Sequence, residues 1–178
     1  MLKMTSTNPG ARRAGPPSYS LAHRSLHVCV GLCIGLALQG CGEGTHGSSG
    51  SCSQETRAEP YMAGLEKPGK QGSLVFRLIE SQPGPPQKGD NVWTLAIKNS
   101  SGSAQPAATV SVTPFMPDHG HGSPIKAEVS ELATPAGGGQ YRVSPVNLFM
   151  PGLWQITVAA QTAGGASDSA VFAFCVEG

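Results

Sequence analysis

One stretch of this chain gathers side chains that suit a soft metal ion: Phe115-Met116-Pro117-Asp118-His119-Gly120-His121-Gly122. Imidazole and thioether together suit copper, and thioether favours Cu(I). Gly120 and Gly122 give the backbone freedom to bring His119 and His121 around one ion. Asp118 is placed either to orient a ligating imidazole from behind or to meet an oxidised ion directly. A second Phe-Met-Pro stands at Phe149-Met150-Pro151. Pro117 and Pro151 donate no ladder hydrogen bond, so both methionines are expected near strand ends. The candidate ligands are therefore Met116, His119, His121 and Met150, with Asp118 behind them. The competing reading takes the His-Gly-His-Gly run as a polar loop and the two methionines as gap-filling core residues.

Such a loop needs strands to hold it, and the flanking sequence supplies them. From Ser73 onward, seven short runs are separated by turn clusters: Leu74–Glu80, Asn91–Lys98, Thr109–Thr113, Lys126–Leu132, Gln140–Val143, Leu153–Ala159 and Ala170–Val176. Trp93, Leu95 and Ile97 alternate with polar residues, as do Val110 with Val112 and Trp154 with Ile156 and Val158. A period of two marks a half-buried strand, and no segment shows a helical period. The expected fold is all-β: an immunoglobulin-like antiparallel sandwich of about seven strands. Its core should hold Phe76, Trp93, Leu95, Ile97, Val110, Val112, Tyr141, Val143, Trp154, Ile156, Val158 and Phe172 with Phe174 or their neighbours. The 24 glycines and 15 prolines fit strands joined by turns.

The N-terminal part is organised differently. Ser25–Leu38 (SLHVCVGLCIGLAL) is apolar apart from Ser25 and His27, and Lys3, Arg12, Arg13 and Arg24 precede it. That is the length of a signal-peptide apolar region and shorter than the roughly 20 residues of a membrane span. Leu38-Gln39-Gly40-Cys41 follows at once and resembles the bacterial lipobox, whose cysteine receives diacylglycerol before cleavage. The expected division is a lipoprotein signal over 1–40, a lipidated Cys41 with a flexible tether over 41–70, and the sandwich over 71–178. The implied place is the cell envelope, anchored to a membrane and facing the periplasm or exterior. Gly42 rather than Asp follows Cys41, which favours the outer membrane over the inner. From Cys41 onward there are eight basic and eleven acidic residues, about −3, so nucleic acid is not an expected partner. With the leader gone, Cys52 and Cys175 remain beside Cys41. In an oxidising compartment they form either one disulfide or two free thiols.

The run from Gly89 to Ala159 resembles the YtkA-like domain, related to the FixH-type proteins. The resemblance is carried by Ala108-Thr109-Val110, Met116-Pro117-Asp118-His119-Gly120-His121-Gly122, Gly139-Gln140-Tyr141 and Met150-Pro151-Gly152-Leu153-Trp154, in that order. It implies a small exported or membrane-anchored β-sandwich whose functional neighbours include copper handling and assembly of membrane oxidases. Asp118 departs from the pattern, since relatives frequently carry a methionine there. Two functions follow as expectations. One is metal binding or delivery, with copper as the ion. The other is a module without metal that binds or helps assemble a membrane protein complex. The chain shows no nucleophile elbow, phosphate-binding glycine loop or zinc-protease motif, so an enzyme is not expected.

Overall fold

The computed structural model describes residues 52–134 and 138–178. Nine strands follow a short 3-10 turn at Cys52–Gln54: β1 Leu65–Pro68, β2 Leu74–Gln82, β3 Gly89–Asn99, β4 Thr109–Met116, β5 His121–Gly122, β6 Glu128–Glu131, β7 Gln140–Leu148, β8 Gly152–Gln161 and β9 Ser167–Val176. They form two sheets, β1-β2-β3-β7-β6 and β5-β4-β8-β9. Every pairing is antiparallel. No α-helix occurs among the described residues, and none of their helices is long and apolar enough to cross a membrane.

The alternation read in the sequence sets which residues face inward. Trp93, Leu95, Ile97, Val112, Tyr141, Val143, Trp154, Ile156, Val158, Phe172, Phe174 and Phe76 are all buried between the sheets, while Val110 packs at the margin. Burying a large apolar side chain contributes about 1.5–3 kcal/mol, so this row of residues sets the register of every central strand. Trp93 meets Phe172 and Phe174 edge-on, with ring centres 6.0 and 5.9 Å apart. All nine strands and the apolar core fall within residues 52–178.

Two expectations change. The sandwich has nine strands rather than about seven, because β1 and β5 join the sheet edges. The expected tether also reaches too far. Within it, Tyr61 packs against Phe174 at 5.9 Å and accepts a hydrogen bond from Ser81 N at 2.9 Å. Glu59 N donates to Ala173 O, and Ala173 N donates back to Glu59 Oε1, both at 2.8 Å. Lys67 Nζ lies 2.5 Å from Glu59 Oε2 and donates to Val171 O. Residues 52–70 thus belong to the domain. Their polar composition hid this, since they attach by the β1–β2 ladder, by hydrogen bonds to β9, by the Cys52–Cys175 disulfide and by a few apolar side chains such as Tyr61 and Leu65. The expected signal over 1–40, Cys41 and the rest of the tether to residue 51 lie outside the described residues.

Candidate metal-binding site

Met116 ends β4 with its side chain turned inward and 1% exposed. The chain then turns back: His119 N and Gly120 N both donate to Met116 O, at 3.2 and 2.9 Å. Gly120 takes φ of 70°, where a side chain is disfavoured. β5 returns along β4 with His121 opposite Met116 and Gly122 opposite Phe115. Gly122 is needed for a different reason than backbone angle. A Cβ there would stand 2.8 Å from Pro114 O, so the tight return of the hairpin requires glycine.

This hairpin brings the two imidazoles together, with ring centres 5.6 Å apart. His121 also stacks on Phe149 at 5.6 Å and 26°, and Phe149 meets Trp154 edge-on at 5.6 Å. His121 Nδ1 lies 3.3 Å from Gly122 O. In the tautomer with the proton on Nδ1, Nε2 is the free ligand atom. His119 is exposed. Beneath it a cavity of about 230 Å³ is lined by Gln54, Glu55, Met116, Asp118, His119, Gly152, Leu153 and Cys175. Met116 and His119 therefore share one cavity, and His121 sits against His119. Gly152 keeps φ of 122°, and a Cβ on it would approach Met116 Cε to 3.1 Å, so the cavity floor depends on that glycine.

Two expected site residues are placed otherwise. The second Phe-Met-Pro does converge on the hairpin, but through Phe149. Met150 packs against the core, its carbonyl accepts from Trp154 Nε1 at 2.9 Å, and it does not line the cavity. Asp118 does not back an imidazole. Both of its oxygens accept from Arg57, at 2.7 and 2.6 Å. That guanidinium hydrogen-bonds Glu55 as well and holds both carboxyls below their usual pKa range. Among the described residues, no three His, Cys, Asp or Glu side chains gather as metal ligands would.

The cavity has a wall that no local signal announced. Gln54 and Glu55 form it. Their segment is fixed by a disulfide between Cys52 and Cys175, with Cα atoms 5.5 Å apart, and by Arg57 on Asp118. Arg57 stands 61 residues before its partner, in a stretch without periodicity, so only the folded chain reveals it.

The chain is similar in structure to a DUF4426 family protein from Pseudomonas aeruginosa. The identity is 13%, the match covers 60% of this chain and 92% of that one, and the TM-score is 0.43. A likeness that distant bears on neither ligand nor role. No curated protein matches the chain in sequence. A model of the YtkA-like family matches residues 70–159, which take in the hairpin with both histidines and both Phe-Met-Pro segments, and span just over half of the chain; the chain belongs to the YtkA-like family.

Proposed function

We propose that this protein is an envelope lipoprotein, tethered through Cys41, whose sandwich binds copper for storage or delivery through Met116, His119 and His121. The observation that carries the reading is the 5.6 Å separation of two imidazoles whose hairpin also lines a cavity with a buried thioether. Metal–imidazole bonds are near 2.0–2.1 Å, so two imidazoles on one tetrahedral ion have ring centres about 5 Å apart. The observed spacing needs only a small adjustment to reach that. Thioether with imidazole is a soft set that fits Cu(I), with copper as cargo rather than as a catalytic group. The disulfide supports an oxidising compartment, and the basic, apolar leader ending at Gly40-Cys41 supports export and lipidation. The role proposed is binding, not catalysis.

The test is a titration of the chain from Gly42 onward with Cu(I) and Cu(II) separately, beside a His119→Ala/His121→Ala variant. Stoichiometric Cu(I) binding that the double substitution abolishes is expected. No binding in either state would overturn the copper reading. That outcome would favour the second reading, a module that binds or assembles a membrane complex. Its supporting observation is the outward display of Phe115 and Ile125, 39% and 44% exposed, on β4 and just after β5.

A further inference from the structure

Beside the Gln54 amide and the disulfide sulfur of Cys175, four side chains bordering the cavity carry common metal-ligand groups, and two of those four are hydrogen-bonded to one guanidinium. Met116 offers a thioether and His119 an imidazole. Glu55 and Asp118 offer carboxylates, but one guanidinium occupies both. Arg57 Nη1 and Nη2 donate to Asp118 Oδ1 and Oδ2 at 2.7 and 2.6 Å. Its Nε and Nη2 donate to Glu55 Oε1 and Oε2 at 2.9 and 2.6 Å, and its backbone N donates to Glu55 Oε1 at 2.7 Å. Every oxygen of the two carboxylates thus carries an N–H of Arg57.

The Arg57 and Asp118 side chains are each 50% exposed and that of Glu55 16%, and the bidentate network ties the segment after Cys52 to the hairpin. It also changes what the cavity can offer a ligand. Carboxylates suit hard and borderline divalent ions, whereas thioether suits Cu(I). Only a planar fork with donors on two edges can hold two carboxylates this way, and a lysine in its place would act as a point charge.

We infer that Arg57 determines the specificity of the site: it withholds Glu55 and Asp118 from the cavity, so that the remaining thioether and imidazoles select Cu(I) over divalent ions. The inference rests on the copper reading above. Arg57 acts here as a positioning residue that touches the carboxylates and not the ion. The segment carrying it is itself fixed, because Cys52 is bonded to Cys175 and Glu59 N donates to Ala173 O.

The experiment is a competition titration of the chain from Gly42 with Cu(I) and Zn(II) as probes. It compares the unsubstituted chain, Arg57→Gln and Arg57→Gln/Asp118→Asn. The titrations run in 1 M sodium nitrate, where the field of a lost charge is screened within about 3 Å, so that direct ligation by a freed carboxylate is what remains. Arg57→Gln should raise Zn(II) affinity relative to Cu(I) by roughly 10- to 100-fold, the range that changes just outside a ligand shell usually carry. Adding Asp118→Asn should reverse most of that gain. If the unsubstituted chain binds Cu(I) but Arg57→Gln leaves the Cu(I)-to-Zn(II) preference unchanged, the inference is overturned while the copper reading stands. If the unsubstituted chain binds no Cu(I), the copper reading falls and the inference falls with it.

Discussion

Replacing Asp168 by asparagine tests how the two sheets are joined at the end where β9 begins. Asp168 is 4% exposed and accepts hydrogen bonds from the turn between β1 and β2. Oδ1 takes Gln71 N and Ser169 N at 2.9 and 2.8 Å, while Oδ2 takes Ser73 N at 2.9 Å and both Leu74 N and Ser73 Oγ at 3.1 Å. A Cβ on Gly69 would collide with this carboxylate, so the turn is shaped around it. Burial by itself pushes the Asp168 carboxyl up, but the backbone N–H groups of Gln71, Leu74, Ser169 and Ser73 outweigh it and hold the pKa down at about 2. The folded value lies below the unfolded one, so protonation favours unfolding. The contribution is complete above about pH 4 and is lost as pH falls through 2. A drop from 3.8 to about 2 corresponds to about 2 kcal/mol. In Asp168→Asn, an NH2 must face two backbone donors whichever way the amide turns. Leaving buried donors unpaired costs about 1–3 kcal/mol each, so the loss near pH 7 should be about 2–5 kcal/mol. Urea unfolding followed by the fluorescence of the buried Trp93 and Trp154 measures it. Between pH 5 and pH 2 the gap between the two chains should narrow by about 2 kcal/mol. Other carboxyls titrate in both chains and cancel in the difference. A gap below about 1 kcal/mol at neutral pH, or one that stays constant down to pH 2, would refute the reasoning.

Two further outcomes are expected. Cys52→Ala/Cys175→Ala releases a cross-link spanning 123 residues, for which chain entropy gives a loss of up to about 5 kcal/mol; a thermal melt showing less than about 1 kcal/mol would mean that the non-covalent contacts of residues 55–68 hold the segment without the disulfide. Cys41→Ser should move the protein from the membrane fraction to the soluble envelope fraction and end its labelling by radioactive palmitate. Persistence of either the label or the membrane association would count against a lipid anchor at that residue.

The strands legible in the sequence were those with one wet face. β3 and β8 place Trp93, Leu95, Ile97 and Trp154, Ile156, Val158 on the core side, as their alternation requires. β7 is expected only over Gln140–Val143, and Pro145 follows, a residue that donates no ladder hydrogen bond. The structure continues it to Leu148, and the reason lies in the pairing. The β3–β7 register shifts between Asn91 and Trp93, opposite Ser144 and Pro145, so the missing N–H falls where the ladder is already interrupted. Asn91 Nδ2 donates to Val146 O at 3.2 Å beside that irregularity. β5 has two residues, too few for any period, and β1 contains a proline and two charges in four residues. In the site, His119, His121 and Met116 were legible because they lie within six residues of one another. Phe149, Glu55 and Arg57 were not, since their roles depend on strand register and on a cross-link between the two ends of the domain.

Three separate restraints meet on the His119–His121 hairpin, and their distribution bears on what the hairpin is for. β4 fixes its base through the pairing of Phe115 with Gln155 on β8. Arg57 fixes Asp118 at its turn. The ring series His121–Phe149–Trp154 fixes its returning arm, with Trp154 fully buried. A loop that served only to be polar would need the first of these alone. The second is a half-exposed bidentate pair, and the third is an aromatic contact of about 0.5–1.5 kcal/mol that orients a histidine ring. The ring contacts order the His121 side chain in the free protein, and under the copper reading proposed above that lowers the entropy that binding must overcome. The same logic accounts for Met116: burying a flexible thioether beneath Gly152 removes its rotamer freedom on folding rather than on binding.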